Sequence, residues 1–189
     1  MNIDQPGPGQ PGSGQHAMQP VPDAKDWTWT IERACAECGT DATTMSPQDL
    51  AVAIRASLPR WAAVLQREDV GVRPDPRVWS PLEYAAHVRD VFKVMHYRLD
   101  LMHELDDPTF PDWDQDATAV EDDYAAQTPR VVATQLAAAG RGLADALDAV
   151  LRRDLHRRGM RGNGSAFTVE TLGRYAWHDI AHHLNDVAG

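Results

Sequence analysis

Cysteine, lysine and long apolar runs are all scarce in this chain of 189 residues. Its 2 cysteines are too few to staple a chain of this length, which excludes a disulfide-built secreted scaffold. Charge interrupts its apolar stretches before the roughly 18 to 20 residues that a membrane span requires. Met1 is followed by no basic region and apolar run of the kind that directs export. A cytoplasmic protein without membrane association is therefore expected. Positive charge is also in deficit: 18 Lys and Arg, only 2 of them Lys, face 28 Asp and Glu, for a formal net charge of -10. That field repels phosphate backbones, and no basic cluster is large enough to overcome it, so nucleic acid is not an expected partner.

What remains is ordinary globular material, 43% hydrophobic and 24% charged, enough for one core and one domain. Residues 1–25 consist largely of Gly, Pro, Gln and Ser with little to bury, and read as a disordered tail, so His16 is no site candidate. Residues 26–189 then form a single domain that opens with an extended CxxC segment, 26–45. Within it, Trp27, Trp29 and Ile31 alternate with Thr28 and Thr30 as in a short strand.

Four helices follow. Ser46-Pro47 opens the first, with Leu50, Ile54, Leu58, Trp61 and Leu65 on one stripe and a kink expected at Pro59. Ser80-Pro81-Leu82-Glu83 is a capping box, Trp79 and Tyr84 can staple that start, and the helix runs to about Leu105. Thr128-Pro129 opens a third helix that should end near Gly159, and Thr168 caps a fourth that runs to about Val187. With no convincing sheet, the class is all-α, a four-helix bundle. The connection from Asp106 to Gln127 is too long for adjacent antiparallel helices, so an up-down-down-up path with a crossover there is expected.

Histidine spacing supplies the chemistry. His178 and His182, four apart, share one helix face and can hold one metal ion, whereas His183 is turned about 140° from His178. His87 lies roughly 9 Å into its helix, and His182 and His178 lie roughly 7 to 14 Å from the end of theirs. If the second and fourth helices are antiparallel, the three imidazoles meet at one end of the bundle. His96 and His103 fall opposite His87 and read as solvent-facing, as does His156 among arginines. Three protein ligands leave a coordination position open, the pattern of catalytic zinc.

The segments WSPLEYAAHVRDVF (Trp79 to Phe92) and TVETLGRYAWHDIAHHLNDV (Thr168 to Val187) resemble the DinB-like metalloprotein superfamily, which includes mycothiol-dependent maleylpyruvate isomerases and bacterial-thiol S-transferases. The resemblance spans roughly Ser46 to Val187. It implies an up-down-down-up bundle and a divalent metal, zinc or nickel, on His87, His178 and His182. The chain departs from the commoner HHxxQ ending with His182-His183-Leu184-Asn185-Asp186, and Asp186 is placed to take the second N–H of His182 or to cap the helix end.

Other groups leave alternatives open. Glu83, four residues before His87, and Asp90, three after it, could serve as ligand, supporting carboxylate or base, although Glu83 already has work in the capping box. Cys35 and Cys38 could be a redox dithiol, half of a zinc site or two inert thiols, and one CxxC supplies only two of the four ligands of a closed site. The arginines from Arg152 to Arg161 read as a solvated helix end. The eight acidic residues from Asp106 to Asp123 read as a solvated loop, tacked down by Phe110, Trp113 and Tyr124.

The resemblance implies a transferase or isomerase that uses a low-molecular-weight thiol such as mycothiol, with a small-molecule electrophile as its other partner and a homodimer as an open alternative. From the residues alone, three imidazoles and a water point equally to hydrolysis. A bundle whose metal is only structural, or whose pocket binds a ligand without chemistry, is the non-enzymatic reading. A fourth protein ligand such as Glu83 would favour that reading, and a pocket opening onto the ion would favour an enzyme.

Overall fold

A computed structural model describes residues 20–22 and 25–189 of the chain, so nearly all of the expected tail lies outside the described residues. The long helices are α1 (Pro47–Val64), α2 (Pro81–Glu104), α4 (Pro129–Asp148) and α5 (Val169–Asp186), and a short α3 (Gln115–Glu121) lies in the crossover. Each of α1, α2 and α5 begins in a capping box. In α2 the Ser80 hydroxyl accepts from the Glu83 amide at 3.3 Å while the Glu83 carboxylate accepts from the Ser80 amide at 2.8 Å. Trp79 and Tyr84 pack edge to face at 5.5 Å across that start. α1 runs through Pro59 as one helix, with Ile54 and Trp61 buried on either side of it.

Side-chain contacts fix the direction of each helix. Gln48, at the start of α1, reaches the Leu147 and Val150 carbonyls at the end of α4, so these two are antiparallel. Arg89 donates to Gln135, early residues of α2 and α4 respectively, so these two run parallel. His87, early in α2, packs its ring 4.8 Å from that of His183, late in α5, so these two are antiparallel. The bundle is therefore up-down-down-up. Its core includes Leu50, Ile54, Trp61, Phe92, Leu143 and Ile180, each at most 1% exposed.

Three local readings change. The Trp27 to Ile31 segment is a 3-10 turn, Thr28–Ile31, and not a strand, because Asp26 accepts from the amide and hydroxyl of Thr28 at 2.9 and 2.7 Å and curls the chain. α4 stops at Asp148, eleven residues before Gly159. A small sheet is present: β1 (Thr109–Phe110) runs parallel to β2 (Arg158–Arg161), which pairs antiparallel with β3 (Ala166–Thr168). Gly159 belongs to that sheet and ends no helix; a Cβ there would sit 2.7 Å from Phe110 and 2.8 Å from Met102. Within the arginine run, Arg157 donates to the Met102 and Leu105 carbonyls and so caps the end of α2 rather than its own segment.

Candidate metal centre

The HDxxHH stretch of α5 carries two pairs at i, i+4 spacing, His178 with His182 and Asp179 with His183, offset by one residue and thus by about 100° around the helix. That offset divides the three-histidine set expected from sequence. The Asp179–His183 pair faces α2, where its ligand atoms and that of His87 lie within 4.8 Å of one another. The His178–His182 pair faces the N-terminal segment and forms a separate group with Cys35 and Cys38, again within 4.8 Å. His87 therefore does not come together with His178 and His182. Matching depth does bring the start of α2 to the end of α5, and there Asp179 and His183, four residues apart, are the pair that faces His87. The signal in the sequence was the Asp179–His183 spacing.

In the first group, His87 is fully buried and its Nε2 lies 3.3 Å from an Asp179 carboxylate oxygen. The same oxygen lies 3.6 Å from Nε2 of His183. The other ring nitrogen of His183, Nδ1, donates to Asp186 at 2.9 Å, which makes Nε2 the lone-pair nitrogen on the Asp179 side. Asp186 thus orients His183 with one carboxylate oxygen, while its other oxygen lies 3.8 Å from Nε2 of His182, a looser approach than the bond to His183. Burial lowers the pKa of His87 and keeps the ring neutral, the form that ligates. Burial works against ionising Asp179, but the hydrogen bond to His87 holds its carboxyl below the usual range.

Aromatic rings enclose this group. Trp113 from the acidic loop stacks on His87 at 5.4 Å with 6° between the planes, held by an indole N–H donated to Thr118 at 2.8 Å. Trp79 lies 5.3 Å from His87, and Tyr84 lies 5.0 Å from His183. A cleft of about 530 Å³ opens over His182 and His183, walled by Trp27, Trp79 and Tyr84. A second, of about 240 Å³, reaches Asp179, Trp113, Arg161 and Tyr175.

Neither carboxylate proposed on α2 belongs to either donor group. Glu83 is bound by Arg73 and by the Ser80 amide, which together hold it ionised against its burial. Asp90 accepts from Arg89, Lys93 and the Tyr124 hydroxyl. On the far side of α2, His96 is half-buried rather than free in solvent, 3.8 Å from Asp100, and Nε2 of His103 is buried.

The up-down-down-up bundle, with candidate donors gathered where α2 meets α5, agrees with the fold that the resemblance of those two helices implies. The chain belongs to the DinB superfamily, whose sequence profile matches residues 50–187. Among solved structures it resembles YfiT from Bacillus subtilis, described as a probable metal-dependent hydrolase with an unusual four-helix bundle topology, with a TM-score of 0.64 and 17% identity over 83% of this chain and 89% of that one. No curated protein matches the sequence significantly. Among the described residues, no helix is long and apolar enough to cross a membrane.

Proposed function

We propose that this protein is a metal-dependent enzyme in which His87, Asp179 and His183 hold one divalent ion, zinc or nickel, and that it carries out a transfer or isomerisation with a low-molecular-weight thiol such as mycothiol. The observation that carries this reading is a convergent set of two imidazoles and one carboxylate, with three donors and not four, at the edge of a cleft. Two histidines and a carboxylate are a catalytic zinc donor set, and an ion bound there would supply a Lewis acid with an open position. His87 is a preformed neutral donor on α2, Asp186 fixes the tautomer of His183, and Trp79 and Trp113 pack against the His87 ring. A closed structural ion would need a fourth protein ligand, and Glu83 is already committed to Arg73 and Ser80.

The thiol is supported by the likeness of α2 and α5 to the mycothiol-dependent enzymes. A second reading, hydrolysis with water as nucleophile, is favoured by the shared fold with YfiT and its description as a probable hydrolase. The test is metal analysis of the purified chain and of His87→Ala, Asp179→Ala and His183→Ala, followed by titration of a cobalt-substituted sample with mycothiol, bacillithiol and glutathione. We expect each variant to lose one ion, and the visible cobalt spectrum to change saturably with mycothiol. Unchanged metal content in all three variants would overturn the site. A cobalt spectrum indifferent to every thiol, in a protein that cleaves activated esters, would replace the thiol reading with hydrolysis.

A further inference from the structure

The second group, Cys35, Cys38, His178 and His182, has no part in that reading and is built differently. Two sulfurs come from a turn ahead of the bundle, and two imidazoles come from the last turns of α5. The turn has the form that brings both thiols of a CxxC to one side: the Gly39 amide donates to the Cys35 carbonyl at 2.9 Å, the Cys35 amide donates to the Thr40 carbonyl at 2.9 Å, and Gly39 occupies φ +73°, which a Cβ would strain. Cys35 is 1% exposed and His178 is 3% exposed. Nε2 of His178 is buried with no hydrogen-bond partner among the described residues, a costly state for a ring nitrogen unless something ligates it. Trp27 lies over both imidazoles, its ring 5.2 Å from His178 and 4.8 Å from His182, and covers the group from one side.

The distances suit a metal. Bonds of about 2.3 Å to sulfur and 2.0–2.1 Å to nitrogen at a tetrahedral angle place sulfur and nitrogen about 3.5 Å apart. Cys35 Sγ and His182 Nδ1 are 3.9 Å apart, and all four donor atoms lie within 4.8 Å of one another. Charge agrees: two thiolates and two neutral imidazoles around a divalent cation sum to zero, the condition under which a buried ion needs no further partner.

We infer that Cys35, Cys38, His178 and His182 form a second metal site, a closed tetrahedral zinc site that fastens the segment from Trp27 to Thr44 onto α5. That segment contributes few residues to the core, among them Cys35 and Ala42, so cross-linking it across 147 residues of chain gives it an anchor that its own burial does not. Binding releases the two thiol protons to solvent and involves no oxidant.

The test uses the full chain loaded with zinc or with cobalt. We expect two metals per chain and a sulfur-to-cobalt charge-transfer band in the near ultraviolet. Cys35→Ser/Cys38→Ser should lose the band and one metal, while His183→Ala, which belongs to the other group, should keep the band and lose the other metal. Should the double variant fold poorly, the unaltered protein still decides the matter, because both thiols should resist a disulfide reagent until a chelator is added and should then react together as zinc appears in solution. A cobalt protein with no sulfur band, or thiols that react equally fast with and without chelator, would overturn the inference. Either result leaves the His87 group to be judged on its own variants.

Discussion

Removing the Asp90 carboxylate tests whether that group serves the scaffold or the metal. Asp90 is 7% exposed and Arg89, whose guanidinium it faces with both oxygens, is 4% exposed. The same carboxylate accepts from the buried Tyr124 hydroxyl at 2.8 Å and from Lys93 at 2.8 Å. Asp90→Ala leaves a guanidinium in the core without its counter-charge, which costs about 3–5 kcal/mol. It also orphans the Tyr124 hydroxyl, worth about 1–3 kcal/mol. Arg89 keeps its bonds to Gln127 and Gln135 at 2.7 and 2.9 Å, so the two costs do not add in full and about 4 kcal/mol is the working figure. With a urea dependence of about 2 kcal/mol/M, the unfolding midpoint should fall by about 2 M. Tyr124→Phe, which removes one hydrogen bond and leaves the charges paired, should cost about 1 kcal/mol.

The pH dependence has a definite sign. Burial works against the Asp90 carboxylate, but hydrogen bonds from Arg89, Lys93 and Tyr124 hold its pKa below the ordinary value. A depressed folded pKa means the stabilisation is fully present above the unfolded value of about 3.9 and is lost as pH falls through the folded value. The gap between parent and Asp90→Asn should therefore be constant at neutral pH and close below about pH 4. Denaturation is followed by far-ultraviolet circular dichroism with the same excess of metal in every sample, since bound ions shift apparent stability. Metal content of the folded variants should equal that of the parent. A loss under about 1 kcal/mol for Asp90→Ala, or a variant that folds normally but has lost an ion, would refute this placement of Asp90.

Ser80→Ala removes the acceptor for the Glu83 amide at the buried start of α2 and should cost about 0.5–2 kcal/mol in a denaturant titration. Because that cap sets where α2 begins and so how His87 is aimed, cobalt binding at the His87 group should weaken as well; a parent-like affinity would show that packing alone aims the ring. Asp186→Ala deletes the acceptor that orients His183 and should weaken the same group by about 10–100-fold in a competition titration while sparing the sulfur-to-cobalt band. Equal affinity for parent and variant would remove Asp186 from the site.

The bundle was legible because its signals are local. Two of the proline-led caps, at Ser46 and Ser80, close capping boxes in the structure, and a connection too long for neighbouring helices forces the crossover. Elements held by distant partners were not legible. β1 and β2 are short, one in the crossover and the other fifty residues later, and the reason for Gly159 lies in Phe110 and Met102 rather than in its own segment. The alternating Trp and Thr of residues 27–31 imitate a strand, and an aspartate just before them overrides the pattern with two hydrogen bonds. At the site, periodicity placed the right elements at the right depth and left the choice of face open. Two histidines four apart are more conspicuous than an aspartate and a histidine at the same spacing, although a carboxylate is an equally good ligand. The partners of the conspicuous pair lie some 140 residues away in a turn whose position no periodicity reports.

Because the two ligand pairs on α5 differ by one residue, the rotation of that helix decides which pair meets which partners. A turn of about 100° would carry His178 and His182 toward α2 and take Asp179 and His183 off it. Within HDxxHH, Ile180 is fully buried in the core and would be carried off it by such a turn, and further constraint comes from earlier on the helix. Gly173 supplies part of it: a Cβ there would lie 2.9 Å from Leu50 and 3.2 Å from Leu147, so the bare face of α5 is the one pressed against α1 and α4. The Thr168–Thr171 capping box fixes where the helix starts, and Arg174 reaches the Met45 carbonyl at 3.3 Å and Glu170 at 2.8 Å, tying the first two turns to α1's approach. A helix pinned at one end by close packing presents its other end in a single orientation, because a packed interface has discrete solutions and not a continuum. The aim of the four candidate ligands at the end of α5 is thus set in part some five to ten residues upstream, where Gly173 packs against α1 and α4.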